Sequence, residues 1–195
     1  MKQKVLKRCL AFLLALCAVV PCSSAFASGN GEMMDMIVSL GKVRNADPAV
    51  FNAPVRTDRG VVLTFRGFVE SQGKKKIKGL EQFCVPAPRG KVYLYLLLDV
   101  ENNGSEDFTL NFLFGSVMAT VDGADMDYDL QAGITGAIEG IDAYESVITV
   151  EPGQKTTRYV PFCAPKNWKQ IRILVGENES VVQGSYLFYL NRRDV

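Results

Sequence analysis

The sequence has no histidine. Without imidazole, Ser-His-Asp and Cys-His catalysis are excluded, as are His-ligated zinc and haem. An excess of one charge is also missing. Lys and Arg number 22 against 21 Asp and Glu, a net charge of +1, whereas a nucleic-acid binder usually carries a basic excess. No nucleic-acid partner is expected. Long apolar runs are scarce too. The longest, residues 9–20, has 12 residues, short of the ~20 that a helix needs to cross a bilayer.

That run belongs to an address. Lys2, Lys4, Lys7 and Arg8 precede it with no acid among them, Pro21 breaks it, and Ala25-Phe26-Ala27 supplies a small-x-small cleavage pattern. Residues 1–27 therefore read as a secretory signal peptide, and the protein is expected to be secreted, cell-surface or periplasmic. Lipidation is not expected, because Cys17 follows Leu16 and Cys22 follows Pro21 where a small residue is required. No transmembrane segment is expected in the mature chain. Cleavage would remove four basic residues and no acid, taking the net charge from +1 to −3. Of five cysteines only Cys84 and Cys163 would remain. Outside the reducing cytosol they can pair, closing a loop of roughly 80 residues. The alternative is two buried thiols acting as small apolar groups.

Residues 28–59 read as an N-terminal extension. Apolar side chains at 33, 34, 37 and 40 have the spacing of a short amphipathic helix that docks on the core. Residues 45–60, with Pro48 and Pro54, read as an irregular lead-in. From residue 60 to 195 the pattern turns to β. Residues 61–70 are rich in β-formers. In residues 92–101 one face carries Val92, Leu94, Leu96, Leu98 and Val100, while Tyr93, Tyr95, Leu97, Asp99 and Glu101 form the other. This is a strand packed on a core, placed mid-sheet because its second face is half apolar. Asn102-Asn103-Gly104-Ser105 turns the chain. Further strands are expected at 108–114, 117–121, 127–130, 146–150, 156–162, 170–175 and 185–190. Pro161 puts its strand at an edge or a bulge. Residues 131–143, with three glycines, read as a long loop or a short helix. The fold expected is all-β, an immunoglobulin-like antiparallel β-sandwich with a short N-terminal helical or irregular extension.

The stretch from Lys91 through Asp99, Asn102 and Gly104 to Asp107 resembles a bacterial secreted or lipoprotein immunoglobulin-like domain family of unknown function. In that family an extended strand ends in an acidic or polar residue, then Asn, then a small-residue turn. The Pro152-Gly153 turn with its following strand to Phe162, and the strand from Trp168 to Val175, match the later family pattern. The resemblance covers roughly residues 60–190 and implies a sandwich similar to that of a secreted mycobacterial immunoprotective antigen. It implies no catalytic residues.

Several constellations are candidates for chemistry. Asp122, Asp125, Asp127 and Asp129 crowd one stretch, and in a strand the last three would share a face and could offer oxygens to calcium. The EF-hand spacing is absent, and a solvated acidic edge is the competing reading. Lys74, Lys75, Lys76 and Lys78 could grip an anionic partner. Tyr93 and Tyr95 could form an aromatic binding face, or a half-buried rim. Ser71 and Lys74 have Ser-x-x-Lys spacing, but its companion motifs are missing. A carboxylate pair for glycoside hydrolysis depends on spatial separation. The sequence thus points to an exported, non-enzymatic module that interacts with a protein or a cell-surface component and needs no cofactor. A small-ligand or calcium-binding extracellular carrier is the alternative.

Overall fold

The structure is a computed structural model that describes residues 29–75, 77–83, 85–113, 115–176 and 180–195. Residues 1–28, which include the stretch expected to be a signal peptide, lie outside the described residues, as do residue 76, Cys84 and Phe114. In chain order the elements are α1 (Asn30–Ser39), β1 (Val55–Arg56), β2 (Val61–Ser71), β3 (Lys91–Asn102), β4 (Phe108–Asn111), β5 (Val117–Val121), β6 (Ala124–Met126), α2 (Leu130–Glu139), β7 (Val147–Val150), β8 (Lys155–Pro165), β9 (Gln170–Gly176) and β10 (Ser185–Asn191). They build an immunoglobulin-like antiparallel β-sandwich. One sheet runs β1-β2-β3-β8, the other β10-β9-β5-β6, and β4 pairs with β7.

Period two in the strands dictates the core. Leu94, Leu96, Leu98 and Val100 of β3, with Val160 and Phe162 of β8, face Ile171, Ile173 and Val175 of β9 and Phe188 and Leu190 of β10. Phe65 meets Phe188 edge to face across the sandwich at 5.0 Å. The alternation breaks once. Arg66 is an extra residue between Phe65, opposite Leu98, and Gly67, opposite Leu97. The bulge lets Phe65 and Phe68 both pack on the core while Arg66 points outward. There Arg66 meets Asp99 at 2.9 Å, beside Lys155 and the Thr157 hydroxyl. Partial burial disfavours the charged Asp99 carboxylate, but the Thr157 and Arg66 hydrogen bonds and the nearby cations outweigh it. Its pKa stays below the usual carboxylate range.

β3 lies between β2 and β8, as its two-sided apolar pattern predicts, and β8 with Pro161 is an edge. That edge is covered: Asp129 N–H donates to the Pro161 carbonyl and Tyr128 bridges to Phe162. The stretch before β1 is bonded into the sandwich rather than lying beside it. Val43 and Ala49 bridge to β10 in parallel, and between them the Asn45 side chain bonds both the N–H and the C=O of Leu187. One side-chain amide thus stands in for a missing stretch of strand and protects the β10 edge.

Each sheet carries one helix on its outer face. α1 buries Met34 and Ile37 against Leu174, Val181 and Leu187. It has no side-chain cap of its own, and the carboxylate of Asp125 supplies one, accepting from Gly31 N–H at 2.9 Å. The strand expected at 127–130 is absent, and the stretch after it takes the short helix of its two expected forms, as α2. Asp129 is its N-cap, accepting from Ala132 N–H at 2.8 Å, and Gly140 closes it in the left-handed conformation. The strand of this region lies earlier, at Ala124–Met126, after the Asp122-Gly123 turn, where both residues have positive φ. Among the described residues, no helix is long and apolar enough to cross a membrane.

Candidate functional site

The four aspartates do not form one site. Asp122 accepts from the backbone N–H groups of Lys169 and Gln170 and fixes the start of β9. Asp125 caps α1 and Asp129 caps α2. The chain leaves β6 at Met126, so the period-two face expected for residues 125, 127 and 129 does not exist. Among the described residues, no three His, Cys, Asp or Glu side chains are grouped so as to hold a metal ion.

The expected aromatic face is also corrected. Tyr93 and Tyr95 are buried, at 2% and 0% exposure, because α2 lies over them. The Tyr95 hydroxyl donates to the Ala132 carbonyl at 3.0 Å and the Tyr93 hydroxyl to the Val85 carbonyl at 3.1 Å. Burial, with the nearby charge of Asp129, pushes the Tyr93 phenol up to about 12. Burial raises Tyr95 further. The sequence signal for this was the small-residue composition of α2. A Cβ at Gly136 would stand 2.7 Å from the Tyr95 ring, so the helix seats there only with glycine.

Cys163 lies opposite Tyr93 in the β3–β8 register and is half-buried, and burial pushes its thiol pKa up. Cys84 lies outside the described residues, but its neighbours are anchored near this place. The Phe83 carbonyl accepts from the Gln131 side chain, and the Val85 carbonyl from Tyr93, the cross-strand partner of Cys163. We propose that Cys84 and Cys163 pair where the compartment is oxidising. Intact mass of the exported protein after alkylation without reductant should show no modified cysteine. Two modified thiols would refute it.

Lys74, Lys75 and Lys78 are exposed on the β2–β3 connection, and Lys76 lies outside the described residues. That connection is folded tightly on itself. Ser71 Oγ accepts from Gly73 N–H, Ala87 N–H donates to the Gln72 carbonyl, and Lys91 N–H donates to the Pro88 carbonyl. Its one acid, Glu81, is exposed and accepts from Gly79 N–H at 2.8 Å. Lys74, Lys75, Lys78, Arg89 and Lys91 face solvent. Lys75 also donates to the Glu139 carbonyl, at the negative end of α2. Antiparallel pairing brings more cations to the same end of the sandwich. Lys91 lies opposite Pro165, the next residue, Lys166, bonds the Gly90 carbonyl through its N–H, and Lys169 immediately precedes β9. None of these seven side chains is in a salt bridge among the described residues. The opposite end exposes Asp107, Glu151 and Glu106, the last paired with Arg59 at 2.8 Å. The near-neutral total thus conceals a basic pole and an acidic pole. The sequence showed the lysine run; Arg89 and Lys91 close the same connection, whereas Lys166 and Lys169 join it only through pairing of β3 with β8 and the turn that follows.

Beneath the basic pole sits a rigid base. Trp168, 1% exposed, donates its indole N–H to Glu70 at 2.7 Å. The other oxygen of Glu70 pairs with Arg192 at 2.9 Å, and Arg192 lies over the indole ring at 5.5 Å. Phe68 packs edge-on to the same ring at 5.0 Å.

No family model matches the chain, and no curated protein matches it. Among solved structures it is similar to YcdA of Bacillus subtilis, a proposed lipoprotein, at 11% identity over 72% of this chain, with a TM-score of 0.48. The chain spans 39% of that protein's length. It is also similar to YjhA of Bacillus subtilis, at 12% identity over 73% of this chain and 99% of that one, with a TM-score of 0.48. An uncharacterized β-sandwich protein of Clostridium difficile is 12% identical over 75% of this chain and 96% of that one, with a TM-score of 0.38. These likenesses go no further than the β-sandwich fold.

Proposed function

We propose that the chain is an exported interaction module of the immunoglobulin-like kind that carries out no bond-making chemistry and docks through its basic pole on an anionic component of the cell surface. The separation of charge between the two ends of the sandwich carries this reading. The solvent-facing lysines of the pole are not neutralised by neighbours, and the loop that holds them is braced by backbone hydrogen bonds. Little order has to be gained on binding. Each cation near an anionic surface is worth about 1 kcal/mol at physiological ionic strength. Three neutralised lysines should therefore weaken binding on the order of 100-fold.

The test is co-sedimentation of purified protein with cell envelopes. The K74Q/K75Q/K78Q variant is expected to remain in the supernatant at concentrations where the unaltered protein pellets. Equal pelleting of the two would overturn the reading.

A further inference from the structure

The basic pole is not purely polar. Val85 lies in the lysine-bearing loop and is 42% exposed, with exposed Pro86 and Pro88 beside it and Ile77 half-buried. Other exposed apolar side chains, such as Leu40 and Leu113, lie outside this loop. The exposure of Val85 is held in place. Its carbonyl is fixed by the Tyr93 hydroxyl, and the backbone at Gly73 packs so closely beneath it that a Cβ there would stand 2.7 Å from that carbonyl. A water-soluble polyanion would engage the lysines and gain nothing from an apolar tip set among them. The surface of an anionic bilayer uses both, since phosphates attract the cations and the headgroup–acyl boundary takes small apolar side chains.

We infer that the partner of the basic pole is the phosphate-bearing surface of an anionic lipid bilayer, with Val85 dipping into the headgroup layer while Lys74, Lys75, Lys78, Arg89 and Lys91 lie along it. This rests on the reading that the pole binds an anionic partner, and it names the chemistry of that partner. The docking is peripheral and reversible. A single valine with two prolines offers far less apolar area than an anchor, so charge supplies most of the affinity and salt releases it.

The test uses phosphatidylcholine vesicles with and without phosphatidylglycerol, and soluble polyphosphate as a polyanion with no apolar phase. The protein is expected to sediment with phosphatidylglycerol vesicles and not with pure phosphatidylcholine. Val85→Ser should weaken vesicle binding about threefold to tenfold and Val85→Trp should strengthen it by a similar factor. The tryptophan emission of V85W should shift to the blue on vesicles. Neither change should alter polyphosphate binding, whereas K74Q/K75Q/K78Q should weaken both. Because Val85 is exposed, both variants should keep the circular dichroism of the unaltered protein.

Polyphosphate binding without vesicle binding would overturn the bilayer as partner and leave the anionic-partner reading standing. Vesicle binding indifferent to both Val85 changes would do the same. Failure to bind either probe would overturn both.

Discussion

Replacing Asn102 with alanine is expected to lower stability by about 3–4 kcal/mol, although the residue lies at the end of a strand beside a turn. Asn102 is fully buried. Its Nδ2 donates to the Glu106 and Val150 carbonyls, both at 2.8 Å, and its Oδ1 accepts from Gly104 N–H at 2.9 Å. Its own backbone N–H and C=O bond Gln154 and Gly153. One residue thus ties together the end of β3, the turn after it, the end of β7 and the turn before β8. Alanine removes three hydrogen bonds and leaves their partners to find water, at about 1 kcal/mol or somewhat more for each. For a domain of this size the melting temperature should fall on the order of 10 °C. Asn102→Asp keeps the acceptor but loses both donations and should also be strongly destabilised. Thermal unfolding followed by circular dichroism reads both. A shift of only a degree or two would show that the turn closes without this side chain.

Trp168→Ala is expected to cost about 3–5 kcal/mol. The indole is the largest fully buried side chain of the described core, and its removal leaves a cavity against Phe68. It also removes the N–H that satisfies one oxygen of Glu70, a partly buried carboxylate that then depends on Arg192 alone. Arg192 loses the ring beneath it as well. The chain end would loosen too, because Arg192 ties it to Lys166 and Glu70. Trp168→Phe, which fills much of the space but cannot donate, separates the two contributions. It should recover most of the packing while Glu70 stays undersatisfied. Urea unfolding is the measurement, and equal stability of W168F and the unaltered protein would assign the whole effect to volume.

What was legible in the sequence follows from which features are local. The β3 pattern gave its face, its central place and its partner-rich core, because period two needs no knowledge of the rest of the chain. Pro161 gave an edge for the same reason. Two of the motifs carrying the family resemblance, Asn102-Asn103-Gly104 and Pro152-Gly153, proved to be one structure, since Asn102 bonds Gly153 and Gln154. That contact lies about 50 residues away in sequence and is invisible to any short window. Long-range packing also hid the role of the tyrosines. Tyr93 and Tyr95 looked like a surface because alternation assigns them to the outer face, and only the seating of α2 over that face buries them. The aspartates misled because Asp129 is a helix cap, and a cap residue in a glycine-rich stretch gives little periodic signal for the helix that follows. The lysine run was legible as charge. Its enlargement into a pole was not, because Lys166 and Lys169 arrive through pairing of β3 with β8 and the β8–β9 turn.

We propose that charge on one end of this sandwich holds it to an anionic cell surface. The most direct measurement is binding of the purified protein to cell envelopes across a salt series, with K74Q/K75Q/K78Q in parallel. Affinity should fall steeply as ionic strength rises, since a Debye length of about 8 Å at physiological salt shrinks to about 3 Å at 1 M. The variant should bind weakly with a shallower dependence. Binding that is indifferent to salt, or equally strong and equally salt-sensitive in the variant, would contradict the claim.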